Sequence, residues 1–229
     1  MKQFYISIFL IISLVTNIQG QEEEDILIPL DKFTSIKAFD GISINLIKSD
    51  INKAIIKGEN TKKVAIVEKD GLLKIRMEIT KMFSGYKTFV DLYYTDELIT
   101  IDVNEDAKIT NQEVITQKLL ELKAQEGGEL VISTQVDQLL IKTVTGGIIT
   151  TTGFSKNQDV MINTGGVYHG KDFKTYFTTV NVNAGSSAEI YAVDYAKVSV
   201  KAGGEVQVYG NPEKMDEKKV FGGTITRVE

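Results

Sequence analysis

The chain has 229 residues, no cysteine, no tryptophan, a single histidine and a formal net charge of −5. Lack of cysteine excludes disulfides, thiolate metal sites and cysteine nucleophiles, so stability must come from burial, for which this length is ample. The acidic balance, with Arg76 and Arg227 the only arginines, disfavours nucleic acid and anionic lipid as partners.

Met1-Lys2 leads into a nearly unbroken apolar run from Phe4 to Ile18, followed by Gln19-Gly20-Gln21. A basic start, an apolar run shorter than the ~20 residues of a bilayer span and a small residue at Gly20 predict a secretory signal over 1–20. No stable membrane span is then expected after cleavage. Residues 21–31 read as a poorly ordered acidic leader and 32–229 as a single domain. Alternating runs at 42–46, 64–67, 73–77, 89–94 and 99–103 predict half-buried strands. Asp70-Gly71 between two of them predicts a tight turn, and Lys81 to Thr88 a loop that interrupts the pattern. Glu113 to Gln125 has helix-forming composition, yet Leu120, Leu122 and Ala124 fit the strand columns below, so a strand is expected. Glu213 to Lys219 is expected to loop out before a last strand, Val220 to Val228, its charge discouraging edge-to-edge joining. Pro29 and Pro212 stand near the two ends of the folded region, clear of central strands.

A glycine doublet, or a stand-in, returns about every nineteen residues, beginning at Gly127, Gly146, Gly165, Gly185, Gly203 and Gly222. Five and three residues before it stand Leu122/Ala124, Ile141/Thr143, Val160/Ile162, Val180/Val182 and Val198/Val200. Three and five residues after it stand Leu130/Ile132, Ile149/Thr151, Tyr168/Gly170, Ala188/Ile190 and Val206/Val208. Positions between are mostly polar. Each unit therefore reads as strand, glycine corner, strand and short connection, too small to hide its own apolar face unless stacked on its neighbours. Parallel coils are expected, because hairpins would invert strand direction and break the columns. The corners call for positive φ, which Ser186-Ser187 tolerate less well than glycine.

Three features resemble the head GIN domain family of exported bacterial proteins, named as putative auto-transporter adhesins. They are Phe33-x-x-Ile36 followed by Gly41 to Leu46, the serial V-x-V-x-x-G-G coils, and Val208-Tyr209-Gly210-Asn211-Pro212 followed by Gly222-Gly223. The resemblance spans Asp31 to Glu229. It implies an all-β, single-stranded right-handed parallel β-helix, shaped like pectin lyases but without a recognised catalytic set, and a role in adhesion.

Candidate chemistry is sparse. Asp102-x-Asn104-x-Asp106 with Glu113 copies several oxygen positions of a calcium loop, but Ala107 replaces the required glycine and alternating Ile99, Ile101 and Val103 favour a strand. The doublets also lack the glycine and aspartate of the calcium-binding nonapeptide of other β-helices. His169 stands alone in an outward column, without a G-x-S-x-G elbow for a triad. Arg76 and Arg227 are far apart in the stack, and no carboxylate pair for glycoside hydrolysis can be located. No catalytic residue, metal site or cofactor is expected. Tyr191 and Tyr209 share one column in adjoining coils and could form a sugar platform or seal a coil end. The threonines around 143–152 and Thr164 read as ladder hydrogen-bonders. The expectation is an exported, non-enzymatic envelope protein, in the periplasm, on the outer membrane or secreted, whose partner is a glycan or a surface protein. The alternative is a carbohydrate-binding module or polysaccharide-active enzyme.

Overall fold

The computed structural model describes residues 24–228, so the signal segment over 1–20 lies outside the described residues. Among the described residues, seventeen strands form an all-β solenoid of about seven turns. The first nine are β1 (Ile26–Pro29), β2 (Ser35–Ala38), β3 (Ser43–Lys48), β4 (Lys53–Gly58), β5 (Val64–Lys69), β6 (Leu72–Met77), β7 (Thr88–Tyr94), β8 (Thr100–Val103) and β9 (Lys108–Asn111). The others are β10 (Ile115–Gln125), β11 (Glu129–Val144), β12 (Ile148–Ile162), β13 (Val167–Asn183), β14 (Ser187–Lys201), β15 (Glu205–Tyr209), β16 (Lys214–Val220) and β17 (Thr224–Arg227).

From β8 onward every pairing is parallel, with residue 122 beside 141, 141 beside 160, 160 beside 180 and 180 beside 198. All twenty side chains of the four predicted inward columns are buried except that Gly170 has none to bury. Each buried Val, Leu or Ile contributes ~1.5–3 kcal/mol, which offsets the ordering entropy of such long strands. One coil departs from aliphatic filling: Tyr168 lies wholly inside, and a Cβ on Gly170 would stand 2.4 Å from its ring. The large residue is matched by an empty place two positions on.

The corners differ in detail from the expectation. Positive φ belongs to the first glycine and to the residue before it, as at Thr145 (φ 49) and Gly146 (φ 74), and at the last corner also to the second glycine, Gly223 (φ 114). Two successive left-handed residues make a primed tight turn, here joining strands that pair with neighbouring coils instead of each other. The second glycine answers a different need. A Cβ on Gly147 would lie 2.1 Å from the Ala124 carbonyl oxygen of the preceding coil. Ser186 occupies this second position and does not need positive φ; its hydroxyl donates to the Asn183 carbonyl at 2.6 Å.

No separate connection closes the coil. β11 to β14 run through a second bend as single strands of 15–17 residues. The bend shows as a slip in alternation, with Asp137 and Gln138 both exposed between buried Val136 and Leu139. Buried hydroxyls cover carbonyls loosened there: Thr134 donates to Ile115 O at 2.8 Å, Ser155 to Asn157 O at 2.9 Å and Thr175 to Tyr191 O at 2.8 Å.

The amino-terminal end is not a simple winding. β2 and β3 lie between β6/β7 on one side and β8/β9 on the other, so the second coil stacks beneath the first and the third above it. β1 is antiparallel to β4, β4 to β7 and β5 to β6, the last through the predicted Asp70-Gly71 turn. β1 falls within the leader expected to be poorly ordered; Ile26 and Ile28 half-bury against the core, and Pro29 sits on this edge strand. At the other end, Lys214–Val220 is a strand beside β14, not the loop expected from its charges. The β14 backbone supplies its ladder bonds whatever its side chains are, and the outer edge keeps those charges in water.

Candidate interaction surface

The repeat that buries the columns also aligns what points outward. Phe154, Lys174, Tyr191 and Tyr209 occupy matching positions in four successive coils, through the pairs 154 with 174, 174 with 191 and 191 with 209. Tyr191 and Tyr209, the pair singled out in the sequence, are thus direct ladder neighbours. Tyr191 also lies against the chain at Gly210, where a Cβ would meet its ring at 2.5 Å, and the Lys174 ammonium stands 6.0 Å from its centroid. The Tyr209 hydroxyl donates to Gln207 Oε1 at 3.1 Å.

Three further aromatics extend the strip along the second bend. Tyr176 meets Phe154 edge-on, with centroids 5.2 Å apart, and Phe177 shares a ladder position with Tyr195. Tyr176 is 42% exposed and Phe177 47%. Tyr195 donates to Asp216 Oδ2 at 2.7 Å, a bond that raises its pKa, and Lys214 lies 5.7 Å from its ring. Sequence reading missed Phe154, Tyr176, Phe177 and Tyr195, because the slip at the bend and the register shifts in β13 hide which residues share a column.

Elsewhere polar groups are turned toward one another. Asp102 is held by Lys37 at 3.3 Å and accepts from Asn104 at 3.1 Å. Asp106 accepts from the Tyr86 hydroxyl at 2.9 Å, and Glu113 lines a groove with Lys48 and Tyr94 instead of joining the aspartates. The four calcium-type positions are not gathered, and among the described residues no group of three or more such side chains could hold a metal ion. His169 is exposed and pairs with Glu189 at 2.9 Å, while Arg227 pairs with Glu217 at 3.2 Å and Arg76 lies in β6 at the far end. Glu121, though partly buried, is held below the usual carboxylate range by Lys123 and Lys142. Of the threonines, Thr152 bonds Ser133 at 2.9 Å and Thr151 bonds Tyr168, whereas Thr143 Oγ1 is buried without a partner. The buried Tyr168 hydroxyl also accepts from Gln158 Nε2 at 2.6 Å, and burial drives its pKa up. This cluster is inside the coil, beyond reach of a substrate.

The fold is thus a β-solenoid with a lateral line of aromatic residues, interrupted by Lys174, and paired polar groups over much of the remaining surface. The chain belongs to the family described as "putative auto-transporter adhesin, head GIN domain", whose model matches residues 32–212. Its fold is that of a putative adhesin from Bacteroides fragilis, with a TM-score of 0.81 at 15% identity over 90% of this chain and 98% of that one. Putative adhesins from Parabacteroides distasonis (0.74, 20% identity, 91% and 98% covered) and Parabacteroides merdae (0.71, 16%, 92% and 98%) share it. No curated protein matches the sequence. The described residues include no helix long and apolar enough to cross a membrane.

Proposed function

We propose that this is an exported, non-enzymatic adhesion protein of the bacterial envelope, wound as a right-handed single-stranded helix, whose aromatic strip takes a glycan chain. The in-register line Phe154–Lys174–Tyr191–Tyr209 carries the reading. Neighbouring coils are ~4.8 Å apart along a hydrogen-bonded ladder, close to the length of one hexose in an extended polysaccharide, so each ring can meet one sugar. Aromatic faces accept the apolar face of a pyranose, and a scaffold fixed by ladder bonds loses little freedom on binding. Lys174 makes no ion pair among the described residues, which leaves its ammonium to contact a sugar hydroxyl or carboxylate. Family membership supports adhesion as the use of such a face. Binding to a panel of polysaccharides without turnover, weakened at least tenfold by Tyr191→Ala or Tyr209→Ala, is the expected result, a loss of about 1.4 kcal/mol. Shortened or unsaturated products from uronide polysaccharides would instead make the protein an enzyme.

A further inference from the structure

We propose that the loop joining β6 to β7, residues 78–87, docks the amino-terminal end of the solenoid onto an anionic lipid bilayer. Ile79 is 76% exposed, Met82 46%, Phe83 55% and Tyr86 58%. Single exposed apolar residues are ordinary, but three of them and a tyrosine within eight residues of one loop mark a surface suited to a partner.

The loop is held open, not slack. Buried Asp40 accepts the Met77 N–H through one carboxylate oxygen and the Phe83 N–H through the other, each at 3.0 Å. Its main-chain carbonyl takes the Gly85 N–H at 2.9 Å, so tightly that a Cβ on Gly85 would stand 2.5 Å from that oxygen. Tyr86 lies over Gly41 and is anchored to Asp106. Phe83 is thereby fixed at φ 58, a conformation costly for a bulky residue and kept only where the surroundings impose it. The fold uses a buried carboxylate to hold apolar side chains in water.

Charge selects the partner. Residues 48–87 contain ten Lys and Arg against five Asp and Glu, a net +5 in a chain of net −5; residues 24–32, whose β1 pairs with β4 at this end, add Lys32 against Glu24, Asp25 and Asp31, so the two segments together carry +3. Apart from Lys48, which ends β3, residues 48–87 form β4, β5, β6 and their loops at the outer end of the stack. The whole-chain charge argues against anionic lipid, but fields are screened beyond ~8 Å, and the local sign governs contact. Lys62, Lys63, Lys81 and Lys87 flank the apolar tip; Lys63 and Lys87 are partly offset by Glu78 and Glu59, whereas Lys62 and Lys81 have no ion-pair partner among the described residues. Lysines around an apolar tip suit a headgroup layer, where the ammonium groups rise to phosphates while the apolar side chains sink below them.

The chain contains no tryptophan, so Phe83→Trp in the full chain installs a single fluorescent reporter. With vesicles of phosphatidylcholine and phosphatidylglycerol its emission should shift blue and become protected from aqueous iodide, less so with phosphatidylcholine alone or at high salt. Adding Ile79→Ser and Met82→Ser should raise the lipid concentration needed by about tenfold or more. Tyr176→Trp, at the opposite bend, should show no shift. Absence of a blue shift for F83W with phosphatidylglycerol vesicles overturns the proposal and leaves the loop to a protein partner. An equal shift for Y176W overturns it too, because contact would then not run through this loop. Glycan binding by the aromatic strip is independent of either outcome.

Discussion

The carboxy-terminal coils and the amino-terminal end reach order by opposite routes. In β10 to β15 each coil lies on the next in the chain, and stability is spread over many equivalent columns. At the amino-terminal end, β2 and β3 wait for β6 to β9 on either side, and antiparallel strands finish the stack. There a few individual groups, Asp40 above all, hold segments 37 and 43 residues away. Repetition makes any one column replaceable, while a crossing made once depends on particular contacts.

Substitutions at the corners test the repeated half most severely. Gly147→Ala forces a methyl into the Ala124 carbonyl and should cost about 3 kcal/mol or more. Gly146→Ala, with nothing within 4 Å of its Cβ, pays only left-handed strain of about 1–2 kcal/mol. Urea midpoints for the pair separate close packing from backbone conformation; equal losses would refute the division of labour between the two glycines. In the other half, Asp40→Ala leaves the Met77 and Phe83 N–H groups without their charged acceptor and should cost about 2–3 kcal/mol. Amide exchange at Phe83 should quicken while that in β12 and β13 stays slow. Uniform acceleration would mean that the two halves open together.

A smaller effect is expected within a single coil. Tyr168→Phe removes the hydroxyl that Thr151 and Gln158 share and should cost about 1–2 kcal/mol in a thermal melt. Its phenol is raised by burial, so the folded state keeps the proton that the unfolded chain begins to lose near pH ~10. Stability from this group is thus complete below that pH and falls as pH rises above it. The alkaline decline should be shallower in the variant, and an unchanged slope would show that other tyrosines dominate it.

Much of this architecture was legible because the information is local. The six glycine corners, the inward columns and the strand nature of Glu113 to Gln125 follow from a nineteen-residue period that each coil states for itself. The adjacency of Tyr191 and Tyr209 was legible for the same reason, both being counted from a corner. Phe154, Tyr176, Phe177 and Tyr195 were not, since the bend inserts two successive outward residues and β13 carries register shifts. The order of strands at the amino-terminal end was equally hidden. Period-2 alternation says which face of β2, β6 or β8 is buried, but all three alternate alike and any could neighbour any other.

By itself, then, the amino-acid order determined the strand class, the coil length and the corners, because each rests on φ preference and on burial at fixed short spacing. Tertiary structure decided which strands lie side by side in the first coils, that the charged Lys214–Val220 pairs as an edge strand, and that Asp40 pins a loop of exposed apolar residues. Those outcomes depend on ladder bonds and close contacts between distant segments, and backbone groups pair without regard to the side chains by which a sequence is read.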